Sequence, residues 1–291
     1  MNVIISFITS ILAFFGLAKA PSLPPNQIPV QTNIPTQVRI ISNPVGQNQP
    51  VGQNQPVGST GYSTNWSGYE TTGGTFSTVV GTWTIPNETS QGNYGSDATW
   101  VGIGGISSRD LIQAGTMASV SNSGQVQYQA FWETLPNVAQ DLSLAVNAGD
   151  SISASVTQIS TGQWQISLID NTTGQSDQVN TSYDSSLSSA EWIEEAPTGL
   201  RQVLPLSNFG TVNFSNASTV MNGQTLSLAA AGGKTITMVN AAAEVLATPS
   251  GLGNNGESFS ITRTNNSDIQ QTRTVIYSGS YRIHYHHRSY Y

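Results

Sequence analysis

An all-β chain, folded as a sandwich or a barrel, is what this sequence predicts. From residue 62 onward, short runs rich in Val, Ile, Thr and aromatic residues follow one another, Gly and Asn punctuate them, and no long apolar period of the helical kind develops. Ser151-Ile152-Ser153-Ala154-Ser155-Val156 alternates polar with apolar, as does Val126-Gln127-Tyr128-Gln129-Ala130. That is the period of a strand with one face buried. Residues 163–169 and 211–220 read as further strands, and Asn171-Thr172-Thr173-Gly174 reads as a turn between strands. A chain of 291 residues accommodates such a β-structure as one large domain.

The flanks have a different texture. Residues 1–20 carry an apolar run from Ile4 to Leu17 and end in Ala18-Lys19-Ala20, a small-x-small pattern that predicts a secretory signal and an extracellular protein. If it is left uncleaved, the same segment is a membrane anchor. Residues 21–60 are rich in Pro, Asn and Gln and contain the hexad Pro44-Val45-Gly46-Gln47-Asn48-Gln49, repeated directly from Pro50 to Gln55. Recurrent Pro and Gly without large apolar residues build no core, so this stretch is expected to be a linker or a pro-segment. The β-rich domain is expected over residues 61–275. Residues 276–291 form a tail that holds all three histidines, His284, His286 and His287.

Composition narrows the chemistry. Only 9% of residues are charged, against about 25% in a typical soluble protein. Acid unfolds proteins mainly by protonating paired carboxylates, so a surface of neutral amides and hydroxyls suits an acidic medium. With 9 basic and 16 acidic residues the net charge is -7, and no basic run interleaved with aromatics occurs; nucleic acid is an unsuitable partner. There is no cysteine, hence no disulfide framework and no thiolate nucleophile. Serine catalysis needs a histidine base, and histidine is confined to the tail. No His-Glu-x-x-His or comparable pattern predicts a metal site. A hydrolase built from these residues is left with carboxylates.

Two segments concentrate such groups. In residues 125–133 the period of two places Gln125, Gln127, Gln129, Phe131 and Glu133 on one face, as the floor of a polar cleft. In residues 189–197 it places Glu191, Ile193 and Glu195 together and turns Glu194 away. Carboxylates this close raise one another's pKa, which suits an acid or a base. Gln113 lies within the otherwise apolar Leu111-Ile112-Gln113-Ala114-Gly115, where an unpaired amide costs about 1 to 3 kcal/mol. It needs a partner or a purpose.

Asn65-Trp66-Ser67-Gly68-Tyr69, Thr99-Trp100-Val101-Gly102-Ile103-Gly104-Gly105, Leu111-Ile112-Gln113-Ala114-Gly115, Tyr128-Gln129-Ala130-Phe131-Trp132-Glu133 and Ala190-Glu191-Trp192-Ile193-Glu194-Glu195-Ala196-Pro197 occur in that order. In this the chain resembles the glutamic peptidases, or eqolisins, over roughly residues 62–264. The resemblance implies a concanavalin-like sandwich of two antiparallel sheets. It also implies a catalytic pair matching Gln113 and Glu195, with Trp66, Trp100 and Glu133 around the substrate. Glu194 stands where that family commonly has an apolar residue. Expected with this are a monomer, polypeptide substrates and no cofactor. Two other readings stay open. Trp66, Trp100 and Trp132 suit a sugar-binding or glycoside-hydrolysing module that uses Glu133 and Glu195 as its carboxylate pair. A non-catalytic surface protein on a Pro/Gln-rich stalk is the other.

Overall fold

The computed structural model describes residues 61–90, 93–199 and 202–264; the expected signal segment, the Pro/Gln-rich segment and the histidine tail lie outside these. Among the described residues there are eighteen strands and no helix. The first six in chain order are β1 (Gly61–Ser63), β2 (Trp66–Thr72), β3 (Phe76–Thr84), β4 (Gly95–Gly104), β5 (Leu111–Val120) and β6 (Val126–Thr134). Then come β7 (Gln140–Asp141), β8 (Ser151–Ser160), β9 (Gln163–Asp170), β10 (Ser176–Ser182), β11 (Ser189–Glu195) and β12 (Thr198–Gly199). The last six are β13 (Gln202–Val203), β14 (Thr211–Met221), β15 (Gln224–Ser227), β16 (Lys234–Val239), β17 (Val245–Pro249) and β18 (Phe259–Arg263). Each strand read from alternation is present, and Asn171 to Gly174 is the turn between β9 and β10, with Gly174 at φ 74°.

Sixteen strands share one ladder, in spatial order β10-β9-β8-β3-β14-β18-β17-β16-β2-β11-β4-β5-β6-β7, with β1 added on β16 and β15 on β14. The ladder is antiparallel apart from β1, which runs parallel to β16. It folds over on itself, so that β3, β8 and β9 pack across β4, β5 and β11. The result is the expected sandwich of two layers, joined by hydrogen bonds through β18, β17 and β16.

Between the layers lie Trp83, Trp164, Trp192, Val101, Ile103, Ile112, Ile152 and Ile166, all buried. A side chain of this kind contributes about 1.5 to 3 kcal/mol when fully buried. The three indole N–H groups are satisfied, by Thr116 Oγ1 at 2.9 Å, by Tyr183 O at 3.0 Å and by Val80 O at 2.7 Å. β4 and β5 are buried along their whole length on both faces. Their outer face carries a second, smaller cluster of Trp66, Trp100, Leu111, Met117, Phe131 and Ile193.

The inner face also buries acid. Glu88, Asp97 and Glu194 are all at least 95% buried and interact with one another. Thr99 Oγ1 donates to Glu194 at 2.6 Å, Ser207 donates to Asp97, and Arg263 Nε donates to the Ser207 carbonyl at 2.6 Å. Burial pushes Asp97 up to about 6; burial and then the charge of Asp97 push Glu88 up to about 9 and Glu194 well above the usual range. These carboxyls therefore hold their protons to higher pH folded than unfolded. The folded chain binds the more protons, so stability is full below the unfolded values near 4 and is lost as pH rises through the folded ones. The melting temperature is expected to fall by roughly 5 °C or more between pH 4 and pH 8. Glu194→Gln keeps an acceptor for Thr99 and removes one titrating group, so it should flatten that fall; calorimetric melts of the two proteins showing the same slope would contradict the assignment.

Candidate active site

Antiparallel register sets the site. On the outer face of the second layer, Glu70, Glu191, Gly102, Gln113 and Glu133 form one row across β2, β11, β4, β5 and β6. Gly68, Ile193, Trp100, Gly115 and Phe131 form the next, and Trp66, Glu195, Ala98, Met117 and Gln129 the one after. Gln113 and Glu195 are thus two rows and two strands apart. In the row between them stand Trp100 on β4 and, on β5, Gly115, which has no side chain.

Trp100 occupies the space that the glycines leave. A Cβ on Gly102 would lie 2.9 Å from the Trp100 ring and 3.0 Å from Leu111; one on Gly115 would run into the Thr99 carbonyl and lie 2.6 Å from the Trp100 Cβ. Trp66 meets Trp100 edge-on, with ring centroids 5.0 Å apart. Above them lies a cavity of about 200 Å³ whose wall includes Trp66, Leu111, Gln113, Met117, Phe131, Glu133 and Glu195, with Arg109 also in the wall.

Glu195 and Gln113 are each held by neighbours. Glu195 accepts from Asn65 Nδ2 on Oε1 at 3.1 Å and from Trp100 Nε1 on Oε2 at 2.9 Å. Gln113, 4% exposed, donates through Nε2 to Glu133 Oε2 at 2.5 Å, which leaves its second N–H for another acceptor. Burial pushes Glu133 up to about 7, against the Gln113 hydrogen bond. Burial first and the charge of Glu133 second push Glu195 up to about 8, against the donors Trp100 and Asn65.

Four of the five residues singled out in the sequence, Gln113, Glu195, Trp66 and Glu133, line this cavity. Trp100 does not. It is fully buried and reaches the site only through its hydrogen bond to Glu195, so the expectation that it contacts substrate is corrected to one of support from below. The alternation in β11 holds, with Glu195 at the cavity and Glu194 inside the sandwich. Glu191 shares the outer face but is wholly buried opposite Glu70, away from the wall. Its raised pKa follows from burial and then Glu70, and the carboxyl that acts on Glu195 is Glu133. The Gln113–Glu133 pairing escaped the sequence reading, although counting outward from the tight turn Ser121-Asn122-Ser123-Gly124 brings the two opposite each other. Asn65 carried no signal of its own, being 130 positions from Glu195. Among the described residues no group of three or more His, Cys, Asp and Glu side chains is arranged to hold a metal ion.

The chain belongs to the Peptidase A4 family, whose model matches residues 64–263, and this membership makes the β-sandwich with its carboxyl- and amide-lined cavity a peptide hydrolase of the glutamic type. It is 29% identical over 190 residues to Aspergillopepsin-2 of Aspergillus niger and 32% identical over 176 residues to Scytalidopepsin B of Scytalidium lignicola. Those alignments take in 57% and 56% of this chain and 67% and 66% of the two relatives, so the chain spans about two thirds of each. The solved scytalido-glutamic peptidase with a transition-state analogue inhibitor superposes with a TM-score of 0.60 at 26% identity, covering 69% of this chain and 98% of that one. Aspergilloglutamic peptidase from Aspergillus niger superposes at 0.53 and 28% identity, covering 58% and 99%.

The glycine floor tolerates no added atom, since its nearest neighbour is a backbone carbonyl. Gly115→Ala should lose about 1 to 3 kcal/mol and alter the near-ultraviolet dichroism of the tryptophans. Gly251→Ala, at a position with nothing within 4 Å, should melt as the parent does. Equal melts for the two variants would contradict the packing described.

Proposed function

We propose that the chain is a secreted endopeptidase working on the acid side of neutrality, with Glu195 as the base that activates water and Gln113 as the oxyanion donor. One observation carries this reading: both side chains line one cavity, each already anchored, Glu195 by Asn65 and Trp100 and Gln113 by Glu133. The relative solved with a transition-state analogue, and the match in fold to it, support the same reading.

In the cycle, ionised Glu195 takes a proton from a water while the water oxygen bonds to the scissile carbonyl carbon. The carbonyl oxygen takes up the negative charge and accepts the free N–H of Gln113. The C–N bond then breaks as Glu195 returns the proton to the leaving nitrogen, giving a new carboxyl and a new amine. Gln113 does not titrate, so its donation persists at any pH, and one such donor is worth a factor of about 100 to 1000. Glu133 needs only to accept from Gln113, which it does protonated or ionised. Once protonated, below about 7, it no longer opposes the charge on Glu195.

The pH profile follows from these signs. Burial disfavours ionised Glu195, so on the acid side the base acts through a minority ionised form, helped below about 7 by the neutrality of Glu133, and the acid limb of kcat/KM lies well above the ordinary glutamate value of about 4.3. The upper limit is set by the stability that the buried carboxyls lose as pH rises. Residues 21–60 are a pro-segment in this reading, and N-terminal sequencing of active material should begin near residue 60; an intact 21–58 in fully active enzyme would sink that part.

Variants assayed on a denatured protein from pH 2 to pH 8 test the chemistry. Glu195→Gln should fall to background with the fold unchanged by circular dichroism. Gln113→Glu should retain activity only at lower pH, where the new carboxyl is protonated and still donates. Glu133→Gln keeps an acceptor for Gln113 and should be far milder than Glu133→Ala. A second carboxyl in the cavity is also what glycoside hydrolysis requires, and under that reading Glu133→Gln abolishes turnover. Near-full proteolysis by Glu195→Gln would falsify the assigned base.

A further inference from the structure

Asn65 touches the reacting carboxyl, yet the mechanism above gives it only an anchoring contact. It is 1% exposed, and the group behind it, Ser63, is 3% exposed. Ser63 ends β1, the three-residue strand that runs parallel to β16 with Ser63 opposite Met238. Its hydroxyl accepts the backbone N–H of Asn65 at 3.3 Å and that of Trp66 at 3.1 Å, and lies 3.2 Å from Asn65 Oδ1.

A hydroxyl has one proton and two lone pairs. The two backbone N–H groups take both lone pairs, so the proton is left for Asn65 Oδ1. That fixes which end of the Asn65 amide is oxygen and turns its NH2 group toward Glu195 Oε1, 3.1 Å away. The other oxygen of Glu195 is held by Trp100. Neither donor can accept a proton from the carboxyl, and both favour its charged form.

We propose that Ser63 and Asn65 are positioning residues that hold the Glu195 carboxylate in its working orientation, which makes the short strand β1 part of the catalytic apparatus. The inference rests on Glu195 being the base. It constrains where the chain can be trimmed, because a cut beyond Gly61 endangers the pairing with β16 that places Ser63. The other titratable groups in the cavity wall, Glu133 and Arg109, are untouched by changes at 63 and 65.

The test is kcat/KM against pH for Asn65→Ala, Ser63→Ala, Ser63→Thr and Glu195→Gln in the otherwise unaltered protein, with a thermal melt of each. Asn65→Ala should lose on the order of 10- to 100-fold and move the acid limb to higher pH, because a donor that favours the charged carboxylate is gone. Ser63→Ala, a smaller change to folding, should move the limb the same way by less, and Ser63→Thr should restore both rate and limb. An acid limb unmoved in Asn65→Ala and Ser63→Ala, with losses tracking the melts, overturns the relay while a dead Glu195→Gln leaves the base assignment standing. An active Glu195→Gln overturns the base assignment, and the relay with it.

Discussion

Trp100 lies down along its own sheet, against positions 102 and 115, and it does so only because both are glycine. A sheet face normally carries a side chain at every second residue of every strand. Here the row containing Ile193, Trp100 and Phe131 is interrupted at Gly115, which lets the Trp100 Cβ sit close, and the indole takes the room left at Gly102 in the adjoining row. Its N–H then reaches Glu195 from beneath, and the space above becomes the cavity. Gln113 and Glu195 come from strands that are not neighbours. They face one volume because the row between them is low.

Charge is scarce in this chain, and where it occurs in carboxyls it is often buried. Glu88, Asp97 and Glu194 sit between the layers, Glu191 is covered opposite Glu70, and Glu133 and Glu195 flank the cavity. Only the last two meet the cavity. Burial holds the protons on Glu88, Glu191 and Glu194 to higher pH than usual, so that on the acid side these three sit neutral inside a hydrophobic layer. The low surface charge that suggests acid tolerance has its counterpart inside, where acid supplies the protons that let these groups stay buried.

What the sequence disclosed was whatever depends on a period of two. The strands beginning at 126, 151, 163 and 211, the shared face of Glu191, Ile193 and Glu195, and the opposite face for Glu194 all follow from alternation within a single run. Contacts between runs were harder. Glu194 meets Asp97 and Glu88 only once β4 lies beside β11 and the 85–90 segment folds back, and no local pattern announces that. The burial of Trp100 depends on side chains from other strands, Trp66 among them, so its indole read as an exposed binding surface. The strand β1 is three residues long and parallel, too short to show any period and paired against the grain of the rest.

The wrap-around ladder has one more consequence, for how the molecule lives among its neighbours. A path of strands that closes over itself without fusing its ends has, among the described residues, two margins, β10 and β7. Proteins usually guard such margins with lysine or other charges that repel a second chain. This chain has few to spare. β7 is only two residues long, too short to template a partner, and β10 reads Ser176-Asp177-Gln178-Val179-Asn180-Thr181-Ser182, with a single aliphatic residue among hydroxyls, amides and one carboxyl. Brevity at one margin and apolar poverty at the other discourage edge-to-edge aggregation, and neither safeguard depends on an ionised group that acid would silence.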